Sequence, residues 1–151
     1  MSIIIQELTE RDSNIYAACQ TLLNCCQQDF PQALQIEYYV SIGGRMIGAF
    51  DVDSLKGLLI WLPSFDSAYL AFLAVNPELR RHGLGMKLME FWLSLMKKNN
   101  VLSLSLDVPA NQETAINLYR RFGFEQQELL VNYYPFNTTL RIDGLKMQKI
   151  F

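Results

Sequence analysis

Histidine and cysteine are scarce in this sequence: one histidine, His82, and three cysteines, Cys19, Cys25 and Cys26, in 151 residues. An odd cysteine count argues against a disulfide framework, and the three fall in one helical segment with no histidine beside them to complete a zinc site. A cysteine nucleophile would also need a base, and His82 lies in a different motif. The cysteines are therefore read as small residues of a helix, and no metal is expected. An excess of positive charge is missing too. Thirteen Lys and Arg against 15 Asp and Glu leave a net charge of −2, so nucleic acid is not an expected partner. Apolar runs such as Leu58 to Leu62 fall far short of the roughly 20 residues a membrane span needs. The opening MSIIIQELTERD lacks a basic stretch followed by an apolar one. No secretory signal is expected, and the expected location is cytoplasmic. Repeats, low-complexity tracts and Pro/Ser-rich linkers are absent, which predicts one domain over 1–151.

What is present is the mix of a folded chain, 50% hydrophobic and 19% charged, enough to bury a core. Ile3 to Ile5 reads as a first strand. Ile15, Cys19, Leu22, Leu23 and Cys26 recur at helical spacing within residues 12–27. Pro31 suits the first turn of a second helix and Gly43-Gly44 its end. Met46–Asp53, Gly57–Leu62 and Ala68–Val75 read as three strands, the last stopped by Asn76-Pro77. After Gly85 an amphipathic helix carries Leu88, Phe91, Trp92, Leu95 and Met96 on one face, with Lys97 and Lys98 opposing the dipole in its last turn. Val101–Asp107 alternates, Leu102, Leu104 and Leu106 against Ser103, Ser105 and Asp107. Asn111 is placed to cap a helix running to about Phe122 and ended by Gly123. Strands around 125–132 and 140–149 close an α/β arrangement in which helices cover one mixed sheet.

The segment from Val75 to Lys87 is the most informative. A strand ends at Val75, Asn76-Pro77 turns the chain, and Arg80-Arg81-His82-Gly83-Leu84-Gly85-Met86-Lys87 leads straight into a helix. Glycines leave backbone N–H groups open to an anion, the helix start adds partial positive charge, and Arg80, Arg81 and Lys87 add full charges. A diphosphate suits such a loop. Glycine spacing alone would equally allow a plain turn with solvated arginines. The pattern is not a dinucleotide fingerprint, since Leu88 stands where a third glycine belongs, and Gly-Lys-Ser/Thr is absent.

Arg80-x-x-Gly83-x-Gly85, preceded by Leu73-Ala74-Val75-Asn76-Pro77 and followed by an amphipathic helix, resembles the acetyl-coenzyme A loop of the GNAT N-acetyltransferases. A second signature follows in Asn111 through Tyr119 and Phe122-Gly123-Phe124. The resemblance covers roughly residues 45–150 and is strongest over 68–124. It implies a mixed, mostly antiparallel sheet of about seven strands flanked by four helices, with acetyl-coenzyme A as co-substrate. Its diphosphate would rest on the amides from Arg81 to Lys87, His82 and Leu84 among them, and its pantetheine arm would pair with Leu73 to Val75. Asn111 and Tyr119 would also adjoin the cofactor.

The same resemblance implies that Tyr119 stands near the thioester sulfur as general acid, a role its phenol suits with a pKa near 10. Asp107 stands where the ribosomal-protein-alanine acetyltransferase subgroup carries a glutamate, twelve residues before the tyrosine. It is the candidate base, acting directly or through water. Asn132-Tyr133-Tyr134-Pro135 and Asp143 to Met147 resemble that subgroup's C-terminal hairpin, whose tyrosines help hold a substrate's N-terminal backbone. The expected activity is acetyl transfer to a primary amine, first a protein or peptide N-terminus. A small-molecule amine, or an acetyl-coenzyme A-binding module without turnover, stays open, as does the choice between monomer and homodimer.

Overall fold

The computed structural model describes residues 2–9, 13–26 and 35–151. Its elements run β1 (Ile3–Glu7), α1 (Ser13–Cys25), α2 (Ile36–Ser41), β2 (Arg45–Asp51), β3 (Ser54–Pro63), β4 (Ser67–Val75), a 3-10 turn (Pro77–Leu79), α3 (Leu84–Lys98), β5 (Ser103–Pro109), α4 (Glu113–Arg121), β6 (Glu125–Pro135) and β7 (Arg141–Ile150). That order is the one the periodicities predict. The expected first turn at Pro31 lies outside the described residues, while Gly43, at φ 88°, follows the end of α2 as anticipated.

The strands form one sheet in the order β1-β2-β3-β4-β5-β7-β6. Every pairing is antiparallel except β4 with β5. Two apolar clusters cover its faces. On one face Ile47, Leu59, Trp61, Leu70, Leu104 and Leu106 meet Leu84, Leu88, Met89, Trp92 and Met96 of α3 and Ile116 and Tyr119 of α4. On the other, Leu58, Ile60, Phe72 and Ala74 meet Cys19, Leu22 and Leu23 of α1 and Ile36 of α2. Each fully buried large side chain contributes roughly 1.5–3 kcal/mol relative to exposure, so these two stripes fix which helix lies on which face.

The fully buried side chains of β4 change face part-way along the strand because it contains a bulge. Trp61 pairs with Leu70 and Ile60 with Phe72, leaving Ala71 unmatched. The extra residue inverts the side-chain alternation. Ala68 and Leu70 point to the α3 side, Phe72 and Ala74 to the α1 side.

Three expectations need correction. Leu102 does not share the buried face of β5: it precedes the strand and is 59% exposed, because its N–H is spent on the Asp66 carbonyl and its carbonyl on the Phe151 N–H. Asn111 does not cap α4. The Gln112 N–H closes a turn onto the Pro109 carbonyl, so the helix starts one residue later than a cap at 111 requires, with Gln112 as N-cap. Tyr133 and Tyr134 lie within a strand, since β6 runs on to Pro135.

Candidate active site

Pairing of β4 with β5 runs only from Ser67–Ser103 to Leu70–Leu106. It stops where the Ala71 bulge turns β4 aside, and the strands diverge beyond that point. Residues 71–75 are not paired with β5. The wedge opens into a cleft of about 1510 Å³ lined by β4 from Tyr69 to Val75, β5 from Leu106 to Pro109, the start of α3, one side of α4, and Tyr133 and Tyr134 of β6.

One end of the cleft is built from the loop before α3. Asn76 Oδ1 accepts the Glu78 N–H at 3.0 Å, and Arg80 Nε donates to the Val75 carbonyl at 3.3 Å, folding the loop back on the strand. Arg81 and Gly83 both adopt positive φ, 68° and 76°. At Gly83 a Cβ would meet nothing within 4 Å, so the position needs glycine for its backbone angle while its missing side chain leaves space open. Gly83 is the N-cap of α3, whose first turn contains no acidic side chain. Helix geometry leaves the N–H groups of Leu84, Gly85 and Met86 without intrahelical partners. The Lys87 N–H instead bonds the Gly83 carbonyl at 3.1 Å. The run of free amides expected from Arg81 to Lys87 therefore ends at Met86. Arg80, Arg81, Gly83, Leu84, Gly85 and Met86 line the cleft. The exposed side chains of His82 and Lys87 do not.

Deeper in, Leu73, Ala74, Val75, Asn111 and Tyr119 all line the wedge. Tyr119 is 8% exposed, its ring edge-on to Phe124 with centroids 6.1 Å apart. Burial pushes its phenol above the usual range. An ordinary phenol is already protonated at neutral pH, so the shift makes this hydroxyl a weaker acid, not a readier donor.

The other end carries Asp107, half-buried on β5, with its Oδ2 accepting two phenolic hydrogen bonds, from Tyr69 at 3.1 Å and Tyr133 at 3.3 Å. Burial, then the Asp107 charge and the hydrogen bond to it, raise the Tyr69 phenol. For the more exposed Tyr133 the charge of Asp107 leads, followed by burial and the hydrogen bond. Tyr134 packs edge-to-face on Tyr133 at 4.9 Å. Its phenol is raised by burial first, then by Asp107, Tyr133 and Tyr119. Tyr134 thus lies within electrostatic reach of both Asp107 and Tyr119. Tyr69 escaped the sequence reading because it looks like one more residue of an apolar strand, 38 positions from its partner.

No cluster of His, Cys, Asp and Glu able to hold a metal occurs among the described residues, and no described helix is long and apolar enough to cross a membrane.

A split parallel pair, with an anion-ready helix start on one side and a carboxylate among tyrosines on the other, defines a class of fold and site. The chain belongs to the acetyltransferase (GNAT) family, whose sequence profile matches residues 8–124. Among individual proteins it is 40% identical over 82 residues to the [ribosomal protein bS18]-alanine N-acetyltransferase of Escherichia coli strain K12, 54% of this chain and 55% of that protein. The match thus spans about half the length of that curated relative. The crystal structure of the ribosomal-protein-S18-alanine N-acetyltransferase from Escherichia coli superposes with a TM-score of 0.86 at 25% identity, over 99% of this chain and 94% of that one. A chain from the NatC complex bound to Gag peptide and CoA shares the fold, with a TM-score of 0.84 at 22% identity over 100% and 99% of the two chains.

Proposed function

We propose that this protein transfers an acetyl group from acetyl-coenzyme A to the α-amine of a protein or peptide N-terminus. The observation that carries the reading is the wedge itself, which joins the free amides of α3 to the Asp107–tyrosine cluster through Tyr119.

The donor set suits coenzyme A. Its diphosphate matches the amides of Leu84, Gly85 and Met86, aided by the helix dipole and by Arg80 and Arg81. Its pantetheine amides match the open edge of residues 71–75, which offers the hydrogen bonding of a strand. When bound, the cofactor supplies an acetyl thioester. Asp107 receives the proton that the incoming ammonium must lose, directly or through the hydroxyls of Tyr69 and Tyr133 that already donate to it. Tyr119, a phenol protonated at neutral pH, returns a proton to the departing sulfur. Tyr133 and Tyr134 flank the acceptor. His82 and Lys87 serve the diphosphate only from outside the cleft.

An α-amine fits better than a lysine. Its pKa is near 8 against about 10.4, so freeing a lysine at neutral pH costs roughly 3 kcal/mol more. The relative named for alanine N-acetylation of a ribosomal protein supports the same choice. The test is thiol release with three acceptor sets: peptides with free N-termini, N-blocked peptides containing lysine, and small polyamines or aminoglycosides. Transfer confined to free N-termini, located by mass spectrometry, is expected. Preferential transfer to a small amine, or cofactor binding without transfer to anything, would overturn the reading.

A further inference from the structure

The β6–β7 hairpin contains a wide irregularity at the sheet's outer edge. Leu130 pairs with Gly144 and Tyr134 with Ile142, so Val131, Asn132 and Tyr133 stand against the single residue Asp143. Asn132 takes a left-handed φ of 51° to accommodate the excess. Backbone groups that leave the ladder need other partners, and two side chains of β7 provide them. Asp143 Oδ1 accepts the Asn132 N–H at 2.8 Å. Arg141 donates from Nε to the Asn132 carbonyl at 2.7 Å and from Nη2 to the Tyr133 carbonyl at 2.9 Å. Beneath, Gly144 lets the tyrosine rings approach: a Cβ there would lie 2.7 Å from Tyr134 Cε2 and 3.3 Å from Tyr133 Cδ1.

We propose that Asp143 and Arg141 are positioning residues of the acetyl-transfer site: by locking the 131–133 bulge they hold the Tyr133 hydroxyl on Asp107, where the acceptor amine arrives. The clamp binds backbone on an exposed edge strand, with Val131 67% exposed, so it does not hold the core together. What it sets is the direction in which Tyr133 leaves the strand. In an unbulged strand the neighbours Tyr133 and Tyr134 would point to opposite faces, whereas here both rings approach Gly144 and line the cleft. Both residues act through Tyr133 and touch no reacting atom themselves.

This inference rests on the acetyl-transfer reading for its consequence, and the experiment separates the two. In Asp143→Ala and Arg141→Ala, the acceptor KM should rise about tenfold, the scale of a lost hydrogen bond to a charged group. The dissociation constant for acetyl-coenzyme A should stay within about twofold. Asp143→Asn keeps an oxygen for the Asn132 N–H and should restore most of the wild-type KM. A second readout needs no turnover. With tyrosine labelled at the ring carbon bearing the hydroxyl, and the Tyr133 resonance identified by its loss in Tyr133→Phe, that resonance should titrate at lower pH in Asp143→Ala, because the phenol has left the Asp107 charge. An unchanged titration, an acceptor KM unmoved by Asp143→Ala, a failure of Asp143→Asn to rescue, or a parallel loss of cofactor affinity would each overturn the clamp. A wild-type protein that transfers acetyl to nothing would overturn the functional reading alone, and the resonance would still decide the positioning role.

Discussion

The Tyr69 hydroxyl on β4 and Asp107 on β5 meet at 3.1 Å at the point where those strands cease to pair. The bond spans the mouth of the split and ties its two walls together. It also assigns the charges, with the carboxylate accepting and the phenol keeping its proton. Tyr69→Phe removes one of two donors while leaving the ring's packing intact. The kcat/KM for the acceptor should fall about tenfold, the usual consequence of losing a charge-assisted hydrogen bond, with cofactor affinity unchanged. Unaltered acceptor kinetics would show that Tyr133 alone suffices.

Tyr119→Phe tests the acid. Turnover should drop by about 10²-fold or more, the ordinary contribution of a positioned proton donor, while calorimetry finds acetyl-coenzyme A bound nearly as before. Full turnover in this variant would transfer the role to another group, with Tyr134 the nearest candidate.

Gly83→Ala separates backbone conformation from ligand space. Its φ of 76° makes a side chain cost about 1 kcal/mol or somewhat more, which should appear as a modest fall in Tm. Because a methyl there projects into open space, a larger change is expected in cofactor affinity. A variant that loses stability but binds coenzyme A normally would move the diphosphate away from this loop.

The cysteines divide by burial. Cys19 is fully buried, which pushes its thiol up to about 11. Cys26 is buried as well, its Sγ donating to the Val75 carbonyl at 3.4 Å. Cys25 is exposed. One thiol per chain should react rapidly with a chromogenic disulfide in the native protein, and three after denaturation. Fast labelling lost in Cys25→Ser would complete the assignment.

Alkaline pH should destabilise the fold. The phenols of Tyr69, Tyr119 and Tyr134 are raised from 10.0, chiefly by burial. Above about pH 10 the unfolded chain sheds protons that the folded chain retains, so stability falls as pH rises, whereas below that value these groups contribute no slope. Melting temperatures measured from pH 8 to 11 should show the break, and Tyr119→Phe should make it shallower.

The parts of this site that were legible in the sequence are those encoded over short distances. Gly83 and Gly85 beside the arginines marked the glycine-led start of α3 that lines the cleft, and the alternation of β5 put Asp107 on a polar face at a strand's end. Tyr119 was legible through its motif. Long-range facts were not. Tyr69 gains its meaning from a strand 38 residues away, and the Ala71 bulge leaves no mark in an unbroken apolar run. Asn111 misled because a good capping residue stood one position too early, where closure of the preceding turn outweighed side-chain preference. The clamp of Arg141 and Asp143 was hidden likewise, since ordinary charged residues on a strand say nothing about the backbone they hold.

Ala71 has a consequence beyond its own position. Without that one surplus alanine, β4 could zip onto β5 along its whole length, and the sheet would be seamless. With it, pairing with β5 ends at Leu70, and an extended ligand arm laid along residues 71–75 would complete the protein's own hydrogen-bonded framework. Deleting Ala71 should therefore yield a sturdier molecule that has forgotten how to be a receptor.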